Sequence, residues 1–212
     1  MTEQTPLRLP MAMFPLGTVL FPHVGLPLHV FEPRYRALVD DCLRAGRQFG
    51  VVLIERGHEV GGGDTRFGVG TVARIVEEAR LPDGRWLLGT VGTRRIRIAT
   101  WLPDDPYPVA LVEDVAEVAL DRRDVDLLAD AERAVRRGLA LQSELGEPAV
   151  PAGVTLDQDP AVAQYQLCAV APVGPVDRQR LLEAETPSAR LRLLHQLAAE
   201  AAEVLAYRLS AG

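Results

Sequence analysis

The chain has no lysine and no asparagine, so all 23 of its basic residues are arginine. A Walker A phosphate loop, a Schiff-base enzyme and a serine–lysine hydrolase each need a lysine, so all three are excluded. Serine is nearly missing too, occurring only at Ser143, Ser188 and Ser210. None lies in a Gly-x-Ser-x-Gly sequence, and all three fall in or beside helix-patterned segments, so no nucleophile elbow is available. The two cysteines, Cys42 and Cys168, lack metal-type spacing and sit among apolar helix-patterned residues, which reads as two buried reduced thiols. The four histidines, His23, His29, His58 and His195, include no pair at ligand spacing. No catalytic constellation and no cofactor are therefore expected. Long apolar runs are lacking as well. Met11 to Leu28 is broken by Pro15, Pro22 and Pro27, and no basic region with a small-residue cleavage site precedes it. The expectation is a cytoplasmic chain with no membrane partner.

What remains is the composition of a globular protein of 212 residues with a formal net charge of -6. That length suffices for a sizeable core, and the acidic balance argues against nucleic acid as a partner. Residues 9–118 read as strands and residues 120–209 as helices, an order that predicts an α+β fold. The predicted strands are Leu9 to Phe14, Leu26 to Phe31, Phe49 to Glu55, Gly68 to Arg80, Trp86 to Val91, Arg94 to Trp101 and Val109 to Val118. A helix is expected from Pro33, where a missing N–H costs nothing, with Gly46 just past its end. Asp83-Gly84 is a hairpin signal. Gly61-Gly62-Gly63-Asp64 precedes a strand rather than a helix, so it reads as a loop and not a phosphate cradle. In the second half, Leu128, Ala131, Val135 and Leu139 form one apolar stripe. Asp159-Pro160 and Thr186-Pro187 open further helices, the last with Leu191, Leu194, Ala198, Ala201 and Leu205 as its stripe.

The most informative stretch is Phe14 to Arg36. Phe14-Pro15 and Phe21-Pro22 bracket an apolar run; a strand with Pro27, His29 and Phe31 follows; Glu32-Pro33-Arg34-Tyr35 then opens the helix. In order and spacing this resembles the opening of the Lon substrate-binding domain, the N-terminal module of the ATP-dependent protease Lon. The likeness continues at Gly70 to Ile75, Leu81 to Arg85, Gly92 to Ile98, Arg178 to Glu183 and Arg190 to Leu194. It implies a PUA-like β pseudobarrel over residues 1–118, one end plugged by the Pro33 helix, with a helical bundle subdomain over 119–212 packed on it. Phe14, Pro15, Phe21, Pro22, Pro27, His29, Phe31, Glu32, Arg34 and Tyr35 would be structural motif residues. Lon continues into an AAA+ motor and a Ser-Lys protease, and this sequence holds neither, so it resembles a free-standing substrate-binding-domain protein or a segment of something longer. The implied function is noncatalytic recognition of exposed or unfolded polypeptide segments, aided by main-chain bonds to an exposed strand edge. A separate AAA+ protease as partner, and a homo-oligomer that supplies multivalency, stay open. The same fold occurs in cereblon and in RNA-binding PUA proteins, which leaves small-molecule or modified-residue capture, and RNA binding, as alternatives.

The residues themselves suggest where a partner would touch. The loop from Trp101 to Pro108 brings Trp101, Tyr107 and two carboxylates onto a proline-rich connection, one candidate recognition edge; packing of both aromatics over the barrel end is the competing reading. Arg94, Arg95 and Arg97 form the best basic cluster, with Arg95 and Arg97 on the side opposite Ile96 and Ile98; by analogy with PUA-type folds it reads as an RNA or acidic-peptide contact, the competing reading being a solvated strand face. Trp86 reads as core. His29 is expected to be structural and hydrogen-bonded. Glu32 is expected to cap the Pro33 helix or pair with Arg36. Glu77 and Glu78 are strand neighbours on opposite faces and cannot form a catalytic dyad.

Overall fold

The computed structural model describes residues 8–56 and 65–211. Gly61 to Asp64 and His58 lie outside the described residues. The chain divides into two compact units, Met1–Ala116 and Glu117–Gly212.

Among the described residues the first unit carries six strands, β1 Leu9–Leu16, β2 Gly25–Val30, β3 Gln48–Arg56, β4 Thr65–Arg80, β5 Trp86–Trp101 and β6 Val109–Asp114, with helix α1 Pro33–Arg44 between β2 and β3. The sheet order is β2-β5-β4-β3-β1-β6, and β6 also pairs with β5. Among these six strands, only β1 and β3 pair in parallel. The five strands β5-β4-β3-β1-β6 thus return on themselves, forming a partial ring. The C-terminal half of β5 closes this ring against β6, and its N-terminal half projects beyond the ring between β2 and β4. The sequence reading split this segment at Gly92; it is one strand, because β4 runs beside it almost throughout. The tip between them turns at Asp83-Gly84, where Gly84 takes a φ of 84° and Leu81 N–H donates to the Arg85 carbonyl at 2.8 Å.

Alternate residues of the ring strands build two cores, as the period of two along a strand demands. Met13, Val52, Val72, Ile96, Ala110 and Val112 come from all five ring strands and fill the interior. Their neighbours Phe14, Val51 and Ala73 point the other way and meet Tyr35, Leu38, Val39 and Cys42 of α1 together with Val30, Trp86 and Leu88. Helix α1 therefore lies against the wall of the ring; the expectation that it plugs one end is corrected. The reason is its single apolar face, which matches the outward apolar row of β1 and β3.

The second unit has α2 Arg122–Glu144, α3 Pro160–Val170, α4 Pro175–Glu183 and α5 Pro187–Ala211. Asp121 opens α2 with a capping box: its carboxylate accepts from the N–H groups of Arg123 and Asp124, and Asp124 returns a bond to Asp121 N–H at 2.8 Å. Leu128, Ala131, Val135 and Leu139 are buried as their spacing predicts, as are Leu191, Leu194, Ala198 and Leu205; Ala202 is buried where Ala201 was expected. Arg190 is also fully buried. Its guanidinium donates to the carbonyls of Leu181 and Ala184 and to Gln164 Oε1, and lies 4.5 Å from the Tyr165 ring centroid. Among the described residues, no helix is long and apolar enough to cross a membrane, and no group of three or more His, Cys, Asp or Glu could hold a metal.

Candidate functional site

The Phe-Pro stretch builds the support. Phe14 stacks on Tyr35 at 4.1 Å with the rings 10° apart, and tilts against Phe49 at 5.9 Å. This arrangement fixes α1 on β1 and β3. Pro15 and Pro22 are buried, and Phe21 is fully so. The connection between β1 and β2 crosses the outer side of β4 and β5 here. Thr71 Oγ1 donates to the Leu20 carbonyl at 2.6 Å, His23 N–H to the Gly92 carbonyl at 2.7 Å, and Gly92 N–H to Val24 at 2.9 Å. Only glycine fits at position 92, since a Cβ there would overlap the Phe21 carbonyl. Glu32 precedes α1 but its side chain caps nothing; it pairs with Arg34 at 3.2 Å, and Arg36 reaches the Asp83 carbonyl instead. The expected cap or Arg36 pair at Glu32 is thus corrected, because Arg34 is nearer and Arg36 is drawn to the β4–β5 turn.

Beyond the connection, the projecting sheet β2-β5-β4 has two faces. Register places Val30, Trp86 and Arg80 in one row and Leu28, Leu88 and Glu78 in the next. Val30, Trp86 and Leu88 are buried toward α1, with Arg80 over the Trp86 ring at 5.3 Å. The other face carries Pro27, Gly89 and Glu77 in one row and His29, Leu87 and Ala79 in the next. Gly89 has no side chain, so its row is hollow, and a concavity of about 520 Å³ opens over Pro27, His29, Glu77, Leu87 and Gly89. Phe31 and Leu87 are 51% and 44% exposed. Large apolar side chains clustered in the open are the informative departure from a polar surface. His29 is exposed with its ring 6.1 Å from Phe31, so the expectation of a hydrogen-bonded structural histidine is corrected. Leu28 and Val30 take the inward positions and leave it outside. Pro27 and Phe31, read as structural, are exposed on the same side.

The expected contact residues lie elsewhere and do not converge. Arg95 is 1% exposed. It shares a row with Thr71, and the β1–β2 connection covers that row. An exposed face including Arg95 is therefore ruled out. Arg97 is exposed, opposite Glu113 on β6. Arg94 pairs with Asp114 at 2.8 Å. Trp101 is half-buried against the interior cluster, with the Arg66 guanidinium 4.4 Å from its ring and 3.2 Å from Asp104. Tyr107 packs on the other cluster and donates its hydroxyl to Asp41 Oδ2 at 2.7 Å. The Tyr107 hydroxyl chiefly holds the Asp41 carboxyl below its usual range, while burial first, and Asp41 second, push Tyr107 up to about 12. Trp86 is core, as expected, and its indole Nε1 has no partner among the described residues. Cys42 and Cys168 are buried, and desolvation raises both thiols to about 12.

A family model described as the ATP-dependent protease La (LON) substrate-binding domain matches residues 10–200. The chain belongs to this family. Lon protease 2 of Herpetosiphon aurantiacus is 30% identical over 208 residues, covering 95% of this chain and 25% of the relative. Lon protease of Trichlorobacter lovleyi is 29% identical over 210 residues, covering 94% and 25%. This substrate-binding-domain chain thus spans about a quarter of the length of the Lon proteases it matches. Among solved structures, the Lon N-terminal domain protein from Xanthomonas campestris superposes with a TM-score of 0.63 at 29% identity, over 88% of this chain and 96% of that one. The N-terminal domain of Mycobacterium avium complex Lon protease gives 0.67 at 17% identity, over 90% and 98%, a likeness of fold.

Within this Lon-type unit, sequence reasoning missed the outer face of β2-β5-β4. Its signal was present: Pro27 and His29 occupy the positions between Leu26, Leu28 and Val30, and Gly89 interrupts an apolar strand.

Proposed function

We propose that this member of the Lon substrate-binding family recognises exposed polypeptide segments, without chemistry of its own, on the outer face of β2-β5-β4. The supporting observation is the hollow left by Gly89 between the exposed Pro27, His29 and Leu87, with the exposed Phe31 ring 6.1 Å from that of His29 at its side. Apolar side chains of an unfolded segment lose water against such a surface at about 25 cal/mol per Å² buried, whereas a folded protein hides them. Recognition runs through the face more than the edge. Pro27 sits in the middle of β2, and a proline is tolerated in an edge strand where its missing N–H would face outward, so the free edge lacks a donor there. The hollow is open and its lining includes no Phe, Tyr or Trp, unlike an aromatic-walled small-molecule pocket. Burial of Arg95 and pairing of Arg94 count against an RNA face.

The relatives are Lon proteases, which supports a role beside an AAA+ protease in the cytoplasm; co-purification with one from lysate tests that association. The binding itself is tested with a fluorescein-labelled, permanently unfolded polypeptide titrated with the chain and followed by anisotropy. Saturable binding that weakens at least fivefold in Leu87→Asp, with the labelled polypeptide intact by mass spectrometry, is expected. Equal binding by Leu87→Asp removes the face from the reading, and cleavage removes the noncatalytic role.

A further inference from the structure

The hollow on the outer face is not uniformly apolar. Glu77 lies opposite Gly89 in the β4–β5 ladder, and a Cβ placed on Gly89 would sit 3.3 Å from Glu77 Cβ and 3.5 Å from its Oε2. The Glu77 side chain therefore leans over the glycine, and its carboxylate stands within the hollow that glycine leaves. The neighbouring carboxylate is engaged otherwise: Glu78 is held by Arg47 in a two-pronged ion pair. No arginine lines the hollow, although the chain is rich in them, and Glu77 has no ion-pair partner among the described residues. The result is an apolar concavity with one uncompensated negative charge at its floor.

We infer that the face selects polypeptide segments in which a bulky apolar side chain stands next to an arginine or lysine, with Glu77 as the residue that sets the preference. This rests on the polypeptide-binding reading above and names the class of segment. An apolar side chain fills the hollow over Gly89 beside Leu87 and Pro27, and the adjacent cation reaches Glu77. The concave wall removes part of the water around the pair, so the contact sits toward the upper end of what exposed ion pairs contribute, about threefold to fivefold in affinity. An acidic neighbour meets a like charge and is disfavoured by a similar factor. Such a charge adds discrimination among apolar segments, since specificity comes from repulsion as well as attraction.

Three fluorescein-labelled peptides test this, identical in a central Leu-Phe pair and flanked on both sides by arginine, glutamine or glutamate. Each is titrated by anisotropy into the native chain, Glu77→Gln and Leu87→Asp at low salt, and into the native chain again at 0.5 M salt. The arginine peptide is expected to bind about threefold to fivefold tighter than the glutamine peptide, and the glutamate peptide weakest. Glu77→Gln is expected to erase this order, and high salt to compress it. Equal binding of the three peptides to the native chain overturns the inference and leaves the face reading intact, as does a preference that survives in Glu77→Gln. Failure of all three to bind, or binding indifferent to Leu87→Asp, overturns the face reading and the inference with it. Glu77 is exposed, so Glu77→Gln is expected to melt with the native chain.

Discussion

Replacing Gly92 by alanine tests the claim that the Phe21-Pro22 connection is locked across β5. The added methyl carbon would meet the Phe21 carbonyl carbon at 2.9 Å and Thr71 Cγ2 at 3.1 Å, besides overlapping the carbonyl oxygen. Backbone stands on one side and a fully buried threonine on the other, so neither can step aside cheaply. Overpacking of this kind costs about 1–3 kcal/mol. Pushing the connection outward also strains the bonds from His23 N–H to Gly92 and from Thr71 Oγ1 to Leu20, each worth about 1 kcal/mol. The total is about 3 kcal/mol. For a unit of this size roughly 4 °C is lost per kcal/mol, so Gly92→Ala should lower the thermal midpoint by about 12 °C in calorimetry. Gly68→Ala is the control: a Cβ there meets nothing within 4 Å, and its effect should stay within about 0.5 kcal/mol. Equal midpoints for Gly92→Ala and the native chain would refute the crossing connection.

Four further outcomes are expected. Asp41 is held below its usual carboxyl range mainly by the Tyr107 hydroxyl, so its stabilising share is full above the unfolded value of about 3.9 and is lost as pH falls through the lower folded value; Tyr107→Phe should flatten the acid limb of a stability–pH curve measured in urea. Tyr107 itself, raised to about 12, contributes stability that is full below pH of about 10 and fades as pH climbs through the folded value, visible in the same curves on the alkaline side. The thiols of Cys42 and Cys168, buried and raised to about 12, should not react with a disulfide reagent at pH 8 until denaturant is added. Asp121→Ala removes the first cap of α2 and should cost about 1 kcal/mol, read as a lower urea midpoint for the helical unit.

The α+β architecture could be read from the residues because strand and helix periods occupy separate halves of the chain, and because caps such as Asp159 and turns such as Asp83-Gly84 are local signals. Position on a face could not be read where burial has a non-local cause. Arg95 alternates like a surface residue, yet a connection some seventy residues earlier covers it, held there by bonds such as Thr71 to Leu20 that the sequence does not announce. Trp101 ends β5 and Tyr107 lies in the loop before β6, close in sequence, yet each packs on a different core. The hollow depends on register. Gly89 faces Glu77 only because β4 shifts by one residue between Ile75 and Glu77, and a one-residue shift exchanges the two faces of a strand. Phe31 and Pro27 were visible as part of the family motif, but a motif marks which residues recur together and leaves open whether they point into the core or out of it.

Strand β5 has neighbours on both edges from Trp86 to Arg97, β4 along one side and β2, the Val24 connection and β6 in turn along the other. It belongs at once to the ring and to the projecting sheet, so neither can open without breaking the other's ladder. Amide protons along that strand should exchange with deuterium only when the whole unit unfolds, as one cooperative block. A segment that lands on Leu87 and Gly89 therefore meets a surface already ordered, and the entropy of arranging it has been spent during folding, before any encounter.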